Sequence, residues 1–300
     1  MNPSDVTKVG VIGSGVMGHG IAMSFARYGF PTLMYDISED LLKKGLESIS
    51  SGKFGLQRLV SKGTITEDKK NEIIGRISIT TKLSDLKDCG LVVEAAPEIR
   101  SLKAKLFSEL DSICGQDAIF ASNTSGIMIS ELASSTRRGD RFVGMHWFNP
   151  PQVMKLVEVV RGPETSDSTL EVIRSVSGAM EKVPIVVNDG PGFFTTRFIN
   201  SWLMEAYRIF EQGIAGIKEI DQMSKLAFGF PMGPFELSDL IGLDTMLHVA
   251  DYMFEETKDR SYSAPTVLNR LVLAGYLGKK AGSKGGWYDY YGIQADRNQK

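Results

Sequence analysis

Three histidines and two cysteines are few for a chain of 300 residues. Cys89 and Cys114 lie far apart and in no metal-like spacing, so they read as ordinary reduced or buried thiols and no metal site is expected. Their scarcity fits a reducing compartment. Charge of one sign is also missing: 34 Lys and Arg stand against 36 Asp and Glu, a formal net charge of −2. That balance argues against a nucleic-acid footprint or a polybasic membrane patch. No apolar run approaches the ~20 residues needed to cross a bilayer. The polar stretch Met1 to Thr7 is too short for a signal or transit sequence, so the cytoplasm is the expected location. Internal repeats and low-complexity tracts are absent as well. What these absences leave is a soluble globular chain, long enough for two domains.

What is present begins with glycine. Lys8-Val9-Gly10-Val11-Ile12 reads as a strand, and Val16 to Tyr28 reads as a helix with Ile21, Ala22 and Phe25 on one face. Between them stands Gly13-Ser14-Gly15-Val16-Met17-Gly18, the G-x-G-x-x-G pattern. The first glycine permits a tight turn, the second lets a pyrophosphate approach the backbone, and the third lets helix and strand pack closely. A pyrophosphate would lie on the free N–H groups at the helix start, where the dipole favours an anion. Pro31 to Tyr35 reads as the next strand and ends at Asp36, near the spacing expected for a carboxylate on the adenosine ribose. No Arg or Lys follows Asp36 until Lys43, so NAD is expected rather than NADP.

Further along, helical spacing covers Glu39 to about Lys62, and another helix begins at Thr66-Glu67-Asp68. Lys53 and Arg58 in this excursion are candidates for the phosphates of a substrate tail, although solvated surface charge is the plainer reading. Strands are expected at Ile77–Thr80, Leu91–Glu94, Ala118–Ala121, Phe142–Met145, Leu156–Val160 and Ile185–Val187, with helices at Leu102–Ile113 and Ser168–Met180. This alternation implies an α/β fold, a Rossmann-like doubly wound and mostly parallel sheet. Glu98, Ser125 and His146 each fall just past the C-terminal end of a strand, the edge where such sheets bind ligands. The turn-forming cluster Asn188-Asp189-Gly190-Pro191-Gly192 marks a boundary. Residues 1–188 are therefore expected to form the NAD-binding domain, and 189–300 an all-helical domain for dimerisation and substrate. Its helix from Phe194 to Phe210 is apolar enough to pack in a core or a subunit interface, and its Trp and Phe residues are expected as core.

These segments resemble the L-3-hydroxyacyl-CoA dehydrogenases. The resemblance rests on Val9–Gly18, Val93–Glu98, Ser122-Asn123-Thr124-Ser125, His146-Trp147-Phe148-Asn149-Pro150 and Met154–Val160. It continues through Pro191-Gly192-Phe193, Pro231–Leu237 with Asp239, Gly278-Lys279-Lys280 and Gly285–Tyr288, so it runs nearly end to end. It implies reversible oxidation of a 3-hydroxyacyl-CoA to a 3-ketoacyl-CoA with NAD, and a homodimer joined largely through the helical domain. It implies His146 as general acid and base, Glu158 as the carboxylate that holds it, and Ser125 as a hydroxyl on the substrate oxygen. Glu98 and Lys103 match positions near the nicotinamide, Asn123 joins the cofactor set, and Asn149 either braces the turn and the nicotinamide pocket or is purely structural. One departure stands out: Thr196 occupies the place where the family usually has an Asn that contacts the reacting region. Asn200, one turn on, is the candidate that takes up part of that role. Two rival readings are a CoA-independent hydroxy-acid dehydrogenase of the gulonate or carnitine type, and a non-catalytic NAD-binding protein.

Overall fold

The computed structural model describes residues 6–294. Its packing divides the chain into two units, one ending at Phe193 and one starting at Phe194.

The first unit follows from apolar tetrapeptides that alternate with amphipathic helices. β1 (Val9–Ile12) leads through the glycine loop into α1 (Val16–Arg27), then β2 (Thr32–Tyr35). The stretch expected as one helix to Lys62 breaks into α2 (Glu39–Ser51) and α3 (Leu56–Ser61). The cause is local: Gly52 and Gly55 adopt extended backbone at the end of α2 and the start of α3. Next come α4 (Glu67–Gly75), β3 (Ile77–Thr80), β4 (Leu91–Glu94), α5 (Arg100–Ile113), β5 (Ile119–Ser122) and α6 (Ile129–Ala133). β6 (Phe142–Trp147), β7 (Leu156–Arg161), α7 (Asp167–Ala179) and β8 (Val183–Asn188) complete the unit.

The strands make one eight-stranded sheet in the order β3-β2-β1-β4-β5-β6-β7-β8. All neighbours are parallel except β6 and β7. The order reverses at β1, so the crevice between β1 and β4 at their C-terminal ends is the place where a doubly wound sheet takes a ligand. Side chains alternate between two cores, because successive strand residues face opposite ways. Leu91 and Val93 belong to one cluster, and Val92 with Phe107 and Phe120 to the other. Cys89 and Cys114 are free and buried, and burial pushes their thiols up to about 12 and about 11.

The second unit contains helices throughout its described residues: α8 (Thr195–Glu211), α9 (Ile217–Phe228), α10 (Pro234–Ile241), α11 (Leu243–Thr257), α12 (Thr266–Leu273) and the short α13 (Trp287–Tyr290). Its core gathers Leu203, Tyr207, Phe235, Leu268 and Trp287, with the Tyr207 and Trp287 rings 4.7 Å apart. The expectation that the Trp and Phe residues from Phe194 to Phe210 are core is corrected for two of them. Phe194 is 60% and Phe198 50% exposed, because the buried stripe of α8 runs through Asn200, Leu203, Met204 and Tyr207 instead. No helix among the described residues is long and apolar enough to cross a membrane.

Candidate active site

The glycine loop shows three different constraints on three glycines. Gly13 stands at φ +90°, where a Cβ would be 2.6 Å from the Ala95 carbonyl oxygen. At Gly18 a Cβ would run into the Gly13 carbonyl oxygen. Gly15 differs, since it is exposed and a Cβ there would point into open space. The loop therefore leaves its backbone approachable at the middle glycine, and the first turn of α1 carries no acidic residue to repel an anion. Asp36 sits just past β2 beside this loop. Its Oδ2 accepts from the Ser14 N–H and from Ser14 Oγ, both at 2.7 Å, and its Oδ1 accepts from the Ile37 N–H at 2.8 Å. These three bonds fix an acceptor-only carboxylate beside the loop. The loop and the carboxylate fit a bound NAD. Val16 is exposed and Met17 half-buried, so the loop meets solvent.

Beside the loop, the ends of β4 and β5 carry a buried ionic network. Lys103, in the first turn of α5, is 1% exposed. Its Nζ donates to Glu94 Oε1 at 2.5 Å and to the Ala96 carbonyl at 3.2 Å, and lies 3.1 Å from Glu98 Oε2. Burial alone would lower its pKa, but the charges of Glu94 and Glu98 outweigh burial and hold it above the usual lysine value. Glu94 Oε2 also accepts from Ser122 Oγ at 2.6 Å. Glu98 Oε1 accepts from Thr124 Oγ1 at 2.5 Å and from the Ser125 N–H at 2.9 Å. Glu98, Lys103 and the Ser125 backbone are thus one connected group, with the Ser125 side chain exposed beside it. Glu94 and Thr124 had no separate role in the sequence reading. A carboxylate closing an otherwise apolar strand was the available signal for Glu94.

His146 and Glu158 are brought together by antiparallel pairing. The histidine, expected just past its strand, is the fifth residue of β6, which runs on to Trp147 because β7 supplies a partner as far as that residue. Register sets His146 directly opposite Glu158, and Nδ1 lies 2.9 Å from Oε2. Both residues are buried, at 6% and 1% exposure. The Phe148 ring lies 4.6 Å and the Phe193 ring 6.2 Å from the imidazole. A carboxylate on Nδ1 favours the tautomer with the proton on Nδ1. Asn123 ties β5 to this hairpin, because its Oδ1 accepts from the Trp147 N–H at 2.9 Å. Asn149 is exposed and precedes a cis peptide bond to Pro150.

The remaining sequence candidates fall elsewhere. Lys53 is exposed in the connection between α2 and α3 and Arg58 in α3 itself, and both cations lie over the Phe54 ring, at 5.4 and 5.7 Å. In the second unit, Thr196 is half-buried in the first turn of α8. Asn200 is 1% exposed, and among the described residues neither of its amide atoms has a hydrogen-bond partner.

A glycine-loop sheet with a histidine–carboxylate pair near its C-terminal edge defines a dinucleotide-dependent dehydrogenase class. The profile of the 3-hydroxyacyl-CoA dehydrogenase NAD-binding domain matches residues 8–190, and that of the C-terminal domain of the same enzymes matches residues 192–290. The chain belongs to the 3-hydroxyacyl-CoA dehydrogenase family, and its cofactor is NAD. It is 41% identical to a 3-hydroxybutyryl-CoA dehydrogenase of Clostridioides difficile over 94% of this chain and 99% of that one. It is 40% identical to the human mitochondrial hydroxyacyl-coenzyme A dehydrogenase over 95% of this chain and 91% of the other. A crystal structure of an (S)-3-hydroxybutyryl-CoA dehydrogenase from Ralstonia eutropha superposes with a TM-score of 0.88 at 42% identity, covering 93% of this chain and 97% of that one.

Proposed function

We propose that the protein oxidises a short-chain (S)-3-hydroxyacyl-CoA, such as 3-hydroxybutyryl-CoA, to the 3-ketoacyl-CoA, and runs the reverse reaction. NAD, when bound, supplies the hydride acceptor. His146 takes the proton of the 3-hydroxyl at Nε2 during oxidation and returns it during reduction, a two-way task suited to an imidazole near neutral pH. Glu158 fixes the ring and stabilises the imidazolium that forms. The single observation that carries this reading is the 2.9 Å contact between His146 and Glu158, opposite each other in a buried strand pair. Ser125 is assigned to the substrate oxygen, and Glu98, Lys103, Asn123 and Asn149 to the nicotinamide side. The loop from Gly13 to Gly18 takes the pyrophosphate and Asp36 the ribose.

Lys53 and Arg58 are assigned to the CoA phosphates, on the strength of their exposed pairing about Phe54. Thr196 is assigned to the reacting region by family position, and Asn200 to substrate because it stands one helical turn further on. The orphaned buried amide of Asn200 supports its part, since an unpaired buried amide calls for a polar partner. We divide the roles at residues 188 and 189, with cofactor binding before and dimerisation and substrate contacts after. A homodimer through the helical unit is supported by the exposed apolar groups Phe194, Phe198, Leu226, Phe228 and Leu273. Two free, buried thiols support a cytoplasmic setting.

The test follows NADH absorbance on adding acetoacetyl-CoA, with NADPH and a CoA-free keto acid run in parallel. Loss with NADH and acetoacetyl-CoA alone is expected. Loss only with the CoA-free acid, or no loss while NADH still binds, would overturn the reading.

A further inference from the structure

Lys182 is a lysine that the reaction does not use, yet it is only 8% exposed. Its Nζ donates to the Pro151 and Met154 carbonyl oxygens, both at 2.7 Å, and lies 5.5 Å from the centre of the Trp147 ring. Those carbonyls belong to the turn that joins β6 to β7, the two strands that carry His146 and Glu158. Within the turn, the Val153 and Met154 N–H groups both donate to the Pro150 carbonyl, at 2.9 and 3.0 Å. The same turn packs on α1, the helix that starts at the glycine loop. At Gly20 of that helix a Cβ would collide with the Gln152 side-chain oxygen and the Pro151 ring. The turn is therefore in close contact with the cofactor helix on the one hand and held by a buried ammonium on the other.

We propose that Lys182 is a positioning residue: its ammonium holds the Pro150–Met154 turn against the cofactor helix and so sets where His146 stands relative to the nicotinamide. The inference rests on the dehydrogenase reading. A lysine presents three rotatable donors, which suits it to gathering carbonyls from one turn, and charge makes those bonds about twice as strong as neutral ones. The charged and titratable groups around it are Arg27 and Tyr28 at the end of α1, Lys155 before β7, and Glu181 beside it. Glu181 accepts from the Tyr28 hydroxyl at 2.8 Å. Burial, and after it the charge of Arg27, lower the Lys182 ammonium to about 8. The clasp is thus charged at neutral pH and weakens as pH rises through that value.

The test compares wild type with Lys182→Met in the oxidation direction, and reads amide hydrogen exchange at Val153 and Met154. Lys182→Met is expected to lower kcat about 10- to 100-fold, the scale of a misplaced reacting group, with KM for acyl-CoA and Kd for NADH within about twofold. Its residual activity should lack the fall that wild-type kcat shows above pH 8, and both amides should exchange at least about tenfold faster once corrected for intrinsic rates. An unchanged kcat with retained protection would overturn the proposal, as would the same alkaline fall in both proteins. Should the Met variant fail to fold, wild-type protection carries the test: it must drop between pH 7 and 9, and constant protection would overturn the clasp. Wild type inactive on every acyl-CoA would instead sink the dehydrogenase reading, while hydrogen exchange still decides the role of Lys182.

Discussion

The two units bury acids in opposite ways. In the first, the buried carboxylates have basic partners that are themselves buried: Glu94 with Lys103, Asp111 with Arg138, and Glu158 with His146. In the second, Asp221 and Asp239 are 1% and 6% exposed and lean on neutral donors. Asp221 accepts from the Phe235 and Glu236 N–H groups and from the Tyr288 hydroxyl, and Asp239 accepts from the Trp287 N–H. The titration follows the partner. Burial would raise Asp111, but its bonds to Arg138 and Arg137 outweigh burial and leave it below the ordinary carboxylate range. For Asp221 and Asp239 burial wins, and both rise to about 6. The same side chain shifts down where arginines bond it and up where deeper burial meets neutral donors. In the first unit two of these charge pairs collect near the C-terminal edge of the sheet, where a reaction needs charge. In the second the acids pin connections, with Asp221 of α9 bonded to N–H groups at the start of α10 and Asp239 of α10 to the N–H at the start of α13.

Breaking a reacting pair is expected to have the largest effect. His146→Ala should cut turnover by at least about 10³-fold, since it removes the proton acceptor outright, while the Kd for NADH stays near wild type. Lost NADH binding would show that the histidine belongs to the cofactor pocket and not to the chemistry. Glu158→Gln comes next. It preserves shape but removes the charge that stabilises the imidazolium, so kcat should fall about 10²-fold with KM for acyl-CoA little changed. A loss no larger than about twofold would mean the carboxylate merely fills its place in the strand.

How much of this was legible in sequence differs between the units for the same physical reason. Strands of four apolar residues alternating with helices, glycines in register and a carboxylate after the second strand are local signals, and the sheet followed from them. Glu158 required knowledge of its partner: nothing local shows that β7 runs antiparallel to β6, which is what sets it opposite His146. Lys182 was invisible, because a lysine in a Glu-Lys turn reads as solvated and its carbonyl partners lie about 30 residues earlier. In the second unit, helix positions were readable, but the exposed faces of α8 were not. Phe198 and Leu203 look alike in a helical pattern, and only the packing of Phe235 and Trp287 decides which is covered.

A smaller effect is expected at the ribose acceptor. Asp36→Ala removes both the anchor of Ser14 and the negative charge that disfavours a 2′-phosphate. The KM for NADH should rise about tenfold, and the preference for NADH over NADPH should shrink by a similar factor, as expected when a charge-assisted hydrogen bond is lost. Measured steady-state constants for both cofactors check this. Unchanged selectivity would mean Asp36 serves only the loop, and the edge of the first unit would then resemble the second, with a carboxylate that pins backbone and nothing more.

The smallest effect tests the acid without a buried cation. The folded pKa of Asp239 stands at about 6, above the ordinary 3.8, so its neutral form is favoured by folding. The stability it contributes is full below about pH 4 and is lost as pH rises through 6, because the folded state then has to bury a charge. Asp239→Asn keeps an oxygen for the Trp287 N–H while never ionising. Thermal melts of both proteins from pH 4 to 7.5 should show wild type losing stability relative to the variant between pH 4 and 6. At pH 7.5 the variant should be more stable by about 1 kcal/mol, less than the full shift implies because a charge-assisted bond is given up. Parallel curves would mean that Asp239 is as ionised in the folded protein as in the unfolded chain. The Trp287 N–H would then be doing for it what Arg138 does for Asp111, and the contrast between the two units would fail at that residue.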